Sequence, residues 1–114
     1  MAKFTIDYFE VPSSDGERTR SFFESAFGWE YLGYGPGYTE IREAGVLGGI
    51  NSDPADRPTN PVIGIRTDDI AAAEAAIVAA GGTITRAAYP FPGGKRMFFR
   101  EPGGAELLVY QPED

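Results

Sequence analysis

Two residues near the start of the chain, Tyr8 and Glu10, have the types and spacing for acid–base chemistry or for anchoring a ligand. They lie two positions apart in Phe4–Val11, whose alternation is typical of a strand, so both side chains share one face. A carboxylate on the inner face of a strand is costly to bury unless it is paired. Glu10 is therefore either the partner of an inward arginine, such as Arg96 or Arg100, or a ligand anchor or general base.

The composition excludes several other chemistries. Histidine and cysteine are absent from the 114 residues, which removes Ser-His and Cys-His nucleophiles and the commonest ligand of zinc, iron, nickel and copper. The net charge of −7 disfavours nucleic-acid binding and attracts cationic ligands. We find no membrane-length apolar run, no signal peptide and no disulfide framework, so we expect no membrane association and a cytoplasmic location.

The elements that must position these residues occur twice in the same order. The strand Phe4–Val11 leads through a polar turn into a helix that ends at Gly28, and the strand Pro61–Arg66 leads into a helix that ends near Gly82. Short strands follow each helix, and Asn51–Asn60 has the composition of a linker. We predict an α+β fold of two modules, about residues 1–52 and 60–114, within a single domain 1–114.

The helices have clear start signals and one clear apolar face. Ser13-Ser14-Asp15 offers N-cap side chains for the first helix, and Asp68 or Asp69 does so for the second. The first helix presents Thr19, Phe22, Phe23, Ala26 and Phe27 on one face, which we expect to pack on the strand residues Phe9 and Val11. The remaining predicted strands are Trp29–Tyr34, Tyr38–Glu43, Val46–Ile50, Thr83–Ala88, Lys95–Arg100 and Ala105–Gln111, with a loop at Tyr89–Gly94.

Strand alternation separates a helix-facing set of side chains from an inward set. The helix-facing set is Phe9, Val11, Ile63, Ile65, Met97, Phe99, Leu107 and Val109. The inward set, with Trp29 and Tyr38 at its mouth, gives the predicted ligand-binding residues Tyr8, Glu10, Trp29, Tyr38, Val62, Arg66, Arg96, Phe98, Leu108 and Tyr110. This lining is mostly apolar and aromatic with a few charges, which suits a planar, amphipathic or cationic organic molecule.

Three segments resemble the vicinal oxygen chelate superfamily, the fold of glyoxalases and bleomycin resistance proteins. The first is Phe9-Glu10-Val11-Pro12 followed by Ser21–Trp29, similar to the opening strand and the "FGW" helix end. The second is Ile65–Ile70, similar to the "VDD" entry into the second helix, and the third is Phe98–Leu108, similar to the "DPxGN" terminal hairpin. The resemblance implies two βαβββ modules whose curved mixed sheets enclose a cavity, with the helices outside, and it implies a homodimer.

The resemblance also locates the positions where metal-dependent members of this superfamily hold their ion. These positions fall on Tyr8, Val62 and Leu108, and neither valine nor leucine has a lone pair to offer. We therefore expect no metal and no cofactor at the usual site. The usual metal-dependent glyoxalase and dioxygenase chemistries are then not expected either.

Three functions remain open at this point. The first is a metal-free binding protein that sequesters or carries an aromatic or cationic compound such as an antibiotic. The second is a lyase or isomerase that uses Glu10 and Tyr8, or a displaced metal site built from Glu10, Glu40 and Glu106. The third is an interaction module whose cavity is filled by its own side chains.

Overall fold

The structure, a computed structural model, describes residues 2–113. In that range the α+β class and the two βαβββ modules are confirmed. The elements are β1 (Phe4–Pro12), α1 (Gly16–Phe27), β2 (Glu30–Gly33), β3 (Tyr38–Arg42), β4 (Leu47–Asn51), β5 (Val62–Thr67), α2 (Ile70–Ala79), β6 (Thr83–Phe91), β7 (Gly94–Arg100) and β8 (Glu106–Pro112). Neither helix in residues 2–113 is long and apolar enough to cross a membrane.

The chain forms two compact units, which we name by their position. The N-unit is Tyr8–Val62, and the C-unit combines the residues before Tyr8 with those after Val62. The strand order is β2-β3-β4-β1 in the N-unit and β6-β7-β8-β5 in the C-unit. In each unit the first strand runs parallel to the last and the other neighbours are antiparallel, so the repeated topology follows the repeated sequence.

In the N-unit, helix α1 has the predicted ends but not the predicted burial. The Asp15 side chain accepts a hydrogen bond from the Arg18 backbone N–H, and Gly28 ends the helix in the left-handed conformation. No residue of α1 is buried, and Phe22 is 60% exposed, so the expected packing of the apolar face on β1 does not bury it. The aromatic rings instead cluster among themselves: Phe23 lies 5.1 Å from Trp29.

Strand β4 lets large side chains of the neighbouring strand approach its backbone. The Phe9 ring of β1 lies against Gly48, where any Cβ would overlap it. Ile41 and Ile50, which flank this contact on β3 and β4, are 2% and 1% exposed. Gly48 is therefore required for this close approach of the Phe9 ring to the backbone of β4.

In the C-unit, helix α2 covers a core that alternation predicted. Asp69 is its N-cap. Met97, Phe99 and Val109 of the sheet pack with Ile70 and Ala73 of the helix, and Ile65 and Leu107 join them, partly buried. The prediction for Ile63 is wrong because its side chain is 46% exposed. Its position precedes Gly64, where the pairing of β5 with β8 begins.

The prediction of a loop over Tyr89–Gly94 is wrong, because β6 continues through Phe91 and β7 starts at Gly94. Tyr89 pairs with Arg96, and Pro90 pairs with Lys95. A proline cannot donate to a strand ladder, so it is tolerated at the edge of a sheet. β6 is the last strand in the order of the C-unit, with β7 as its neighbour. The side of β6 that faces away from β7 therefore has no ladder for Pro90 to interrupt.

Candidate functional site

Two tyrosine hydroxyls of the N-unit meet above a glycine. Tyr8 comes from β1 and Tyr38 from β3, the strands on either side of β4, and their hydroxyl groups are hydrogen-bonded to each other. A Cβ on Gly49 would overlap the hydroxyl oxygens of both. Gly49 is therefore required for this pair, which occupies the space that a side chain on β4 would fill.

The carboxylate of Glu10 is buried beneath this pair. Its side chain is 0% exposed. The Tyr38 hydroxyl donates to Oε1 over 2.9 Å, and the Asn51 amide donates to Oε2 over 3.2 Å. Donors to both oxygens offset part of the cost of removing a carboxylate from water.

Asn51 connects Glu10 to the segment that follows β4. Its Nδ2 also donates to Oδ2 of Asp56 over 2.9 Å, and its Oδ1 accepts the backbone N–H of Asp53 over 3.0 Å. Asn51 itself is 1% exposed. The Arg57 guanidinium donates to the Ser13 carbonyl over 2.7 Å, which anchors the same segment. The predicted linker therefore supplies part of the candidate site.

The environment of Tyr38 keeps its phenol protonated. Burial raises the pKa of Tyr38 far above its ordinary value, and the charge of Glu10 and the neighbouring Tyr8 raise this pKa further. Tyr38 is thus a hydrogen-bond donor to Glu10 across the whole range in which the protein would work.

The positions that the resemblance assigns to metal ligands do not fit a metal. Val62 is 4% exposed and Leu108 is 1% exposed, and these buried hydrocarbon side chains have no donor atom. No group of three or more acidic side chains in residues 2–113 is arranged to hold an ion, so the structure does not support the displaced site. Two of its three carboxylates are engaged elsewhere: Glu40 pairs with Arg42 at 2.5 Å, and Glu106 accepts from Thr85 over 2.7 Å.

The C-unit contains a second tyrosine contact. The Tyr110 hydroxyl donates to Oδ1 of Asp7 over 2.6 Å. Burial raises the pKa of Tyr110 to about 12, the hydrogen bond and charge of Asp7 add to this, and Arg66 opposes it. Arg66 is exposed and lines, with Lys3, a cavity of about 400 Å³ in the C-unit.

Two arginines of the C-unit stack on one phenyl ring. The guanidinium carbons of Arg86 and Arg96 lie 4.4 Å and 5.0 Å from the ring centroid of Phe98. Both groups donate to the Tyr89 hydroxyl, over 2.9 Å and 2.7 Å. Arg96 and Phe98 are buried, at 5% and 1% exposed. This cluster gives Arg96 aromatic and hydrogen-bonding neighbours that compensate its burial.

The structure brings together some of the predicted ligand-binding residues and separates others. Tyr8, Glu10 and Tyr38 form one network in the N-unit, whereas Trp29 packs 6.4 Å from Phe9, whose side chain lies on the opposite face of β1. In the C-unit, the Arg96 guanidinium stacks on Phe98, both from β7. Arg66 of β5 interacts with the Tyr110 hydroxyl of β8. Sequence reasoning missed Asn51, Asp56, Asp7, Arg86 and Tyr89. The sequence has a signal for Asn51 alone, a polar residue directly before a turn that contains a proline.

The contact at Gly49 gives the first prediction. Gly49→Ala forces a methyl group onto the two tyrosine hydroxyls, so we expect it to lower the free energy of unfolding by about 1–3 kcal/mol. Gly33→Ala is the matched control, because nothing lies within 4 Å of a Cβ on this exposed strand glycine. Urea unfolding of both variants measures the difference, and equal stabilities would contradict the proposed contact.

The Tyr110 contact gives a pH prediction. Its pKa is 10.0 ordinarily and about 12 in the fold, so above pH 10 the unfolded chain loses the proton first. The stability that this contact adds is complete below pH 10 and is lost as the pH rises towards 12. We expect Tyr110→Phe to lose less stability than the wild type between these limits, measured by urea unfolding at pH 9 and 11.5. Parallel losses in the two proteins would overturn the assignment.

Comparison with solved structures gives the fold of the whole chain. The methylmalonyl-CoA epimerase from Mycobacterium tuberculosis is 11% identical, with a TM-score of 0.73 over 96% of this chain and 89% of that one. A glyoxalase/bleomycin resistance protein/dioxygenase superfamily member from Vibrio splendidus 12B01 is 14% identical, with a TM-score of 0.66 over 97% and 99%. The Mn(II)-bound glyoxalase from Novosphingobium aromaticivorans is 19% identical, with a TM-score of 0.63 over 97% of this chain and 40% of that one.

No curated protein matches the sequence. A family model does match, that of the Glyoxalase/Bleomycin resistance protein/Dioxygenase superfamily, over residues 5–109. This span includes both βαβββ modules up to the middle of the last strand. The chain therefore belongs to the glyoxalase/bleomycin resistance protein/dioxygenase superfamily.

Proposed function

We propose that this protein binds a small organic molecule, aromatic or cationic, without a divalent metal at the superfamily's usual position. The observation that carries the proposal is the burial of Val62 and Leu108, at 4% and 1% exposed, where a metal-dependent member needs lone pairs. A hydrocarbon side chain at each of these positions offers no donor atom to an ion.

The tyrosine pair supports the same proposal. Tyr8 and Tyr38 are half-buried, so part of each residue stays open to the solvent. Ligand sites typically combine apolar walls with a few positioned polar groups, and the Tyr38 hydroxyl, which donates to Glu10, is positioned in this way. A compound of the kind that bleomycin resistance proteins sequester, an antibiotic, is one candidate.

The assembly and the location of the protein stay predictions. The homodimer that the resemblance implies would place two copies of the tyrosine pair in one particle. Exposed apolar side chains such as Phe22 and Phe27, at 60% and 59% exposed, support this proposal because a second copy would cover them.

An acid–base enzyme is the second candidate, and the alignment of Glu10 with two tyrosine hydroxyls favours it. A lyase or isomerase needs a group that accepts a proton from the substrate. Glu10 is 0% exposed, and the Tyr38 hydroxyl that donates to it would be one route for a proton. We place this candidate second because both oxygens of Glu10 already accept hydrogen bonds from the protein.

The binding proposal predicts ligand protection that does not depend on divalent ions. A thermal-shift panel of aromatic and cationic compounds should contain a compound that raises the Tm equally with EDTA and with added magnesium or manganese. A rise in the Tm that appears only with a divalent ion would contradict the proposal.

The same compound should bind more weakly to Tyr8→Phe, by roughly 3- to 10-fold, because the variant loses one hydrogen-bonding hydroxyl. Tyr34→Phe is the matched control, since Tyr34 is 56% exposed and belongs to the same unit. Equal affinities for the two variants would remove Tyr8 from the binding site.

The enzyme candidate makes a distinct prediction for Glu10→Gln. If Glu10 accepts a proton during turnover, this variant should lose turnover while it still binds the panel compound, because glutamine keeps the shape of the side chain without its basicity. Turnover of the compound by wild type and variant is followed by mass spectrometry. Turnover at the wild-type rate in the variant would eliminate Glu10 as the base.

A further inference from the structure

The C-unit contains a cavity of about 400 Å³. Its lining comes from the residues at the start of β1 and at the ends of β5 and β8, all of them within the C-unit. Volumes of about 300–1,000 Å³ are typical of small-molecule sites. The cavity is therefore large enough for a small organic ligand, and the chemistry of its lining decides which ligand class fits.

Four charged side chains of both signs line this cavity. Lys3 and Arg66 are cationic, and Asp68 and Glu113 are anionic. All four residues are exposed, and within the described range 2–113 they form no salt bridge with one another. Because these opposite charges do not pair, they stay available to water or to a ligand. The lining is balanced in charge, so it favours a ligand that carries both signs.

Contacts with the surrounding chain hold these charged residues in position. The Lys3 backbone N–H donates to Oδ1 of Asp68 over 3.2 Å. The Glu113 backbone N–H donates over 2.7 Å to a backbone carbonyl in the turn between β6 and β7. The Arg66 guanidinium interacts with the Tyr110 hydroxyl of β8. The chain that carries the four charges is thus tied to the sheet of the C-unit.

An amide adds a neutral donor to the lining. The Oε1 atom of Gln111 accepts the backbone N–H of Ile70 over 2.9 Å, and this contact fixes the orientation of the amide. The Nε2 group is then the part of this cavity-lining side chain that can donate to a ligand. Gln111 is the only glutamine in the sequence, so its side-chain NH₂ signals are unambiguous reporters of the cavity.

We propose that this cavity binds a small polar zwitterion, a molecule with one ammonium and one carboxylate group. The carboxylate contacts Lys3, Arg66 and the Gln111 amide, which are all donors. The ammonium contacts the carboxylates of Asp68 and Glu113. A ligand with a single charge meets an unfavourable side chain as well as a favourable one, and the net charge of −7 further disfavours a simple anion.

The rest of the lining indicates that the body of the ligand is polar. Pro112 is the one apolar residue among those described around the cavity, and hydroxyl side chains such as that of Thr5 line the remainder. Free amino acids and short peptides share the required chemistry. The site is additional to the proposed function and does not depend on it.

A series of glycine peptides separates the two charges and their spacing. Glycine, diglycine and triglycine are zwitterions whose charges lie progressively further apart. The C-terminal amide of each keeps only the ammonium, and the N-acetyl form of each keeps only the carboxylate. Chemical-shift titration of the wild-type protein, with the Gln111 side-chain amide as reporter, measures the affinities. We expect one zwitterion to bind at least about 5-fold more tightly than both of its singly charged derivatives, and its length distinguishes a free amino acid from a short peptide.

Two charge-removing variants test the two ends of the ligand separately. Lys3→Gln removes a contact of the carboxylate, and Glu113→Gln removes a contact of the ammonium. We expect each variant to weaken binding of the zwitterion by about 3-fold. Lys95→Gln is the matched control, because Lys95 is an exposed lysine of the C-unit outside the cavity lining, and it should leave the affinity unchanged. All three side chains are exposed, so we expect the variants to keep the fold, which the same spectra check.

The contrary outcomes each identify a different error. Equal or tighter binding of an N-acetyl derivative shows a simple anion site, and equal or tighter binding of an amide shows general attraction of cations to an acidic protein. Either result overturns the proposal, as does the absence of any shift of the Gln111 signals. Equal affinities of Lys3→Gln, Glu113→Gln and Lys95→Gln overturn the assignment of the ligand to this cavity. None of these results bears on the proposed function, which the thermal-shift panel of aromatic and cationic compounds tests.

Discussion

The candidate site depends on one constraint, the burial of a carboxylate inside a sheet. Glu10 has no exposed surface, and an ion removed from water is stable only where donors replace the water. Tyr38 and Asn51 supply such donors from β3 and β4, the next two strands of the same unit. Their positions explain why β4 carries Gly49, why the turn after β4 is pinned by Asp53 and Arg57, and why Tyr8 has its hydroxyl beside that of Tyr38.

The candidate site is built from hydrogen-bonding groups. A metal fixes its ligands through short bonds to lone pairs, and Val62 and Leu108 have none. In this chain the hydroxyls are held by hydrogen bonds that end on a carboxylate and an amide. Groups held in this way have fixed hydrogen-bond directions, and the protein's acidic charge attracts cations at long range.

Much of the fold could be predicted from the sequence, because two kinds of information agreed. Strand alternation placed Met97, Phe99 and Val109 against α2, and motif order indicated the repeated βαβββ topology. Burial of α1 could not be predicted, since an apolar face shows that a helix can be covered but not what covers it. The continuation of β6 through Pro90 was missed because proline usually marks a loop, and only the pairing order shows that this strand lies at an edge.

The site was predicted only in part. Period-two alternation placed Tyr8 and Glu10 on one face, but it cannot show which residue of another strand stands opposite. That depends on register, which places Gly49 between Glu10 and Glu40 and leaves Tyr38 within reach of both Tyr8 and Glu10. Asn51 could not be predicted for the same reason, because its partner in the hydrogen bond, Glu10, lies 41 positions away in the sequence.

Gly49 has a consequence for reading related sequences. A side chain at this position and a pair of touching tyrosines cannot coexist, so the two features must be inherited or lost together. In a relative that retains both aromatic residues, anything larger than hydrogen at the equivalent of Gly49 signals that the pair has come apart. One position in β4 thus becomes a marker for sorting homologues into those that can keep the tyrosine pair and those that cannot.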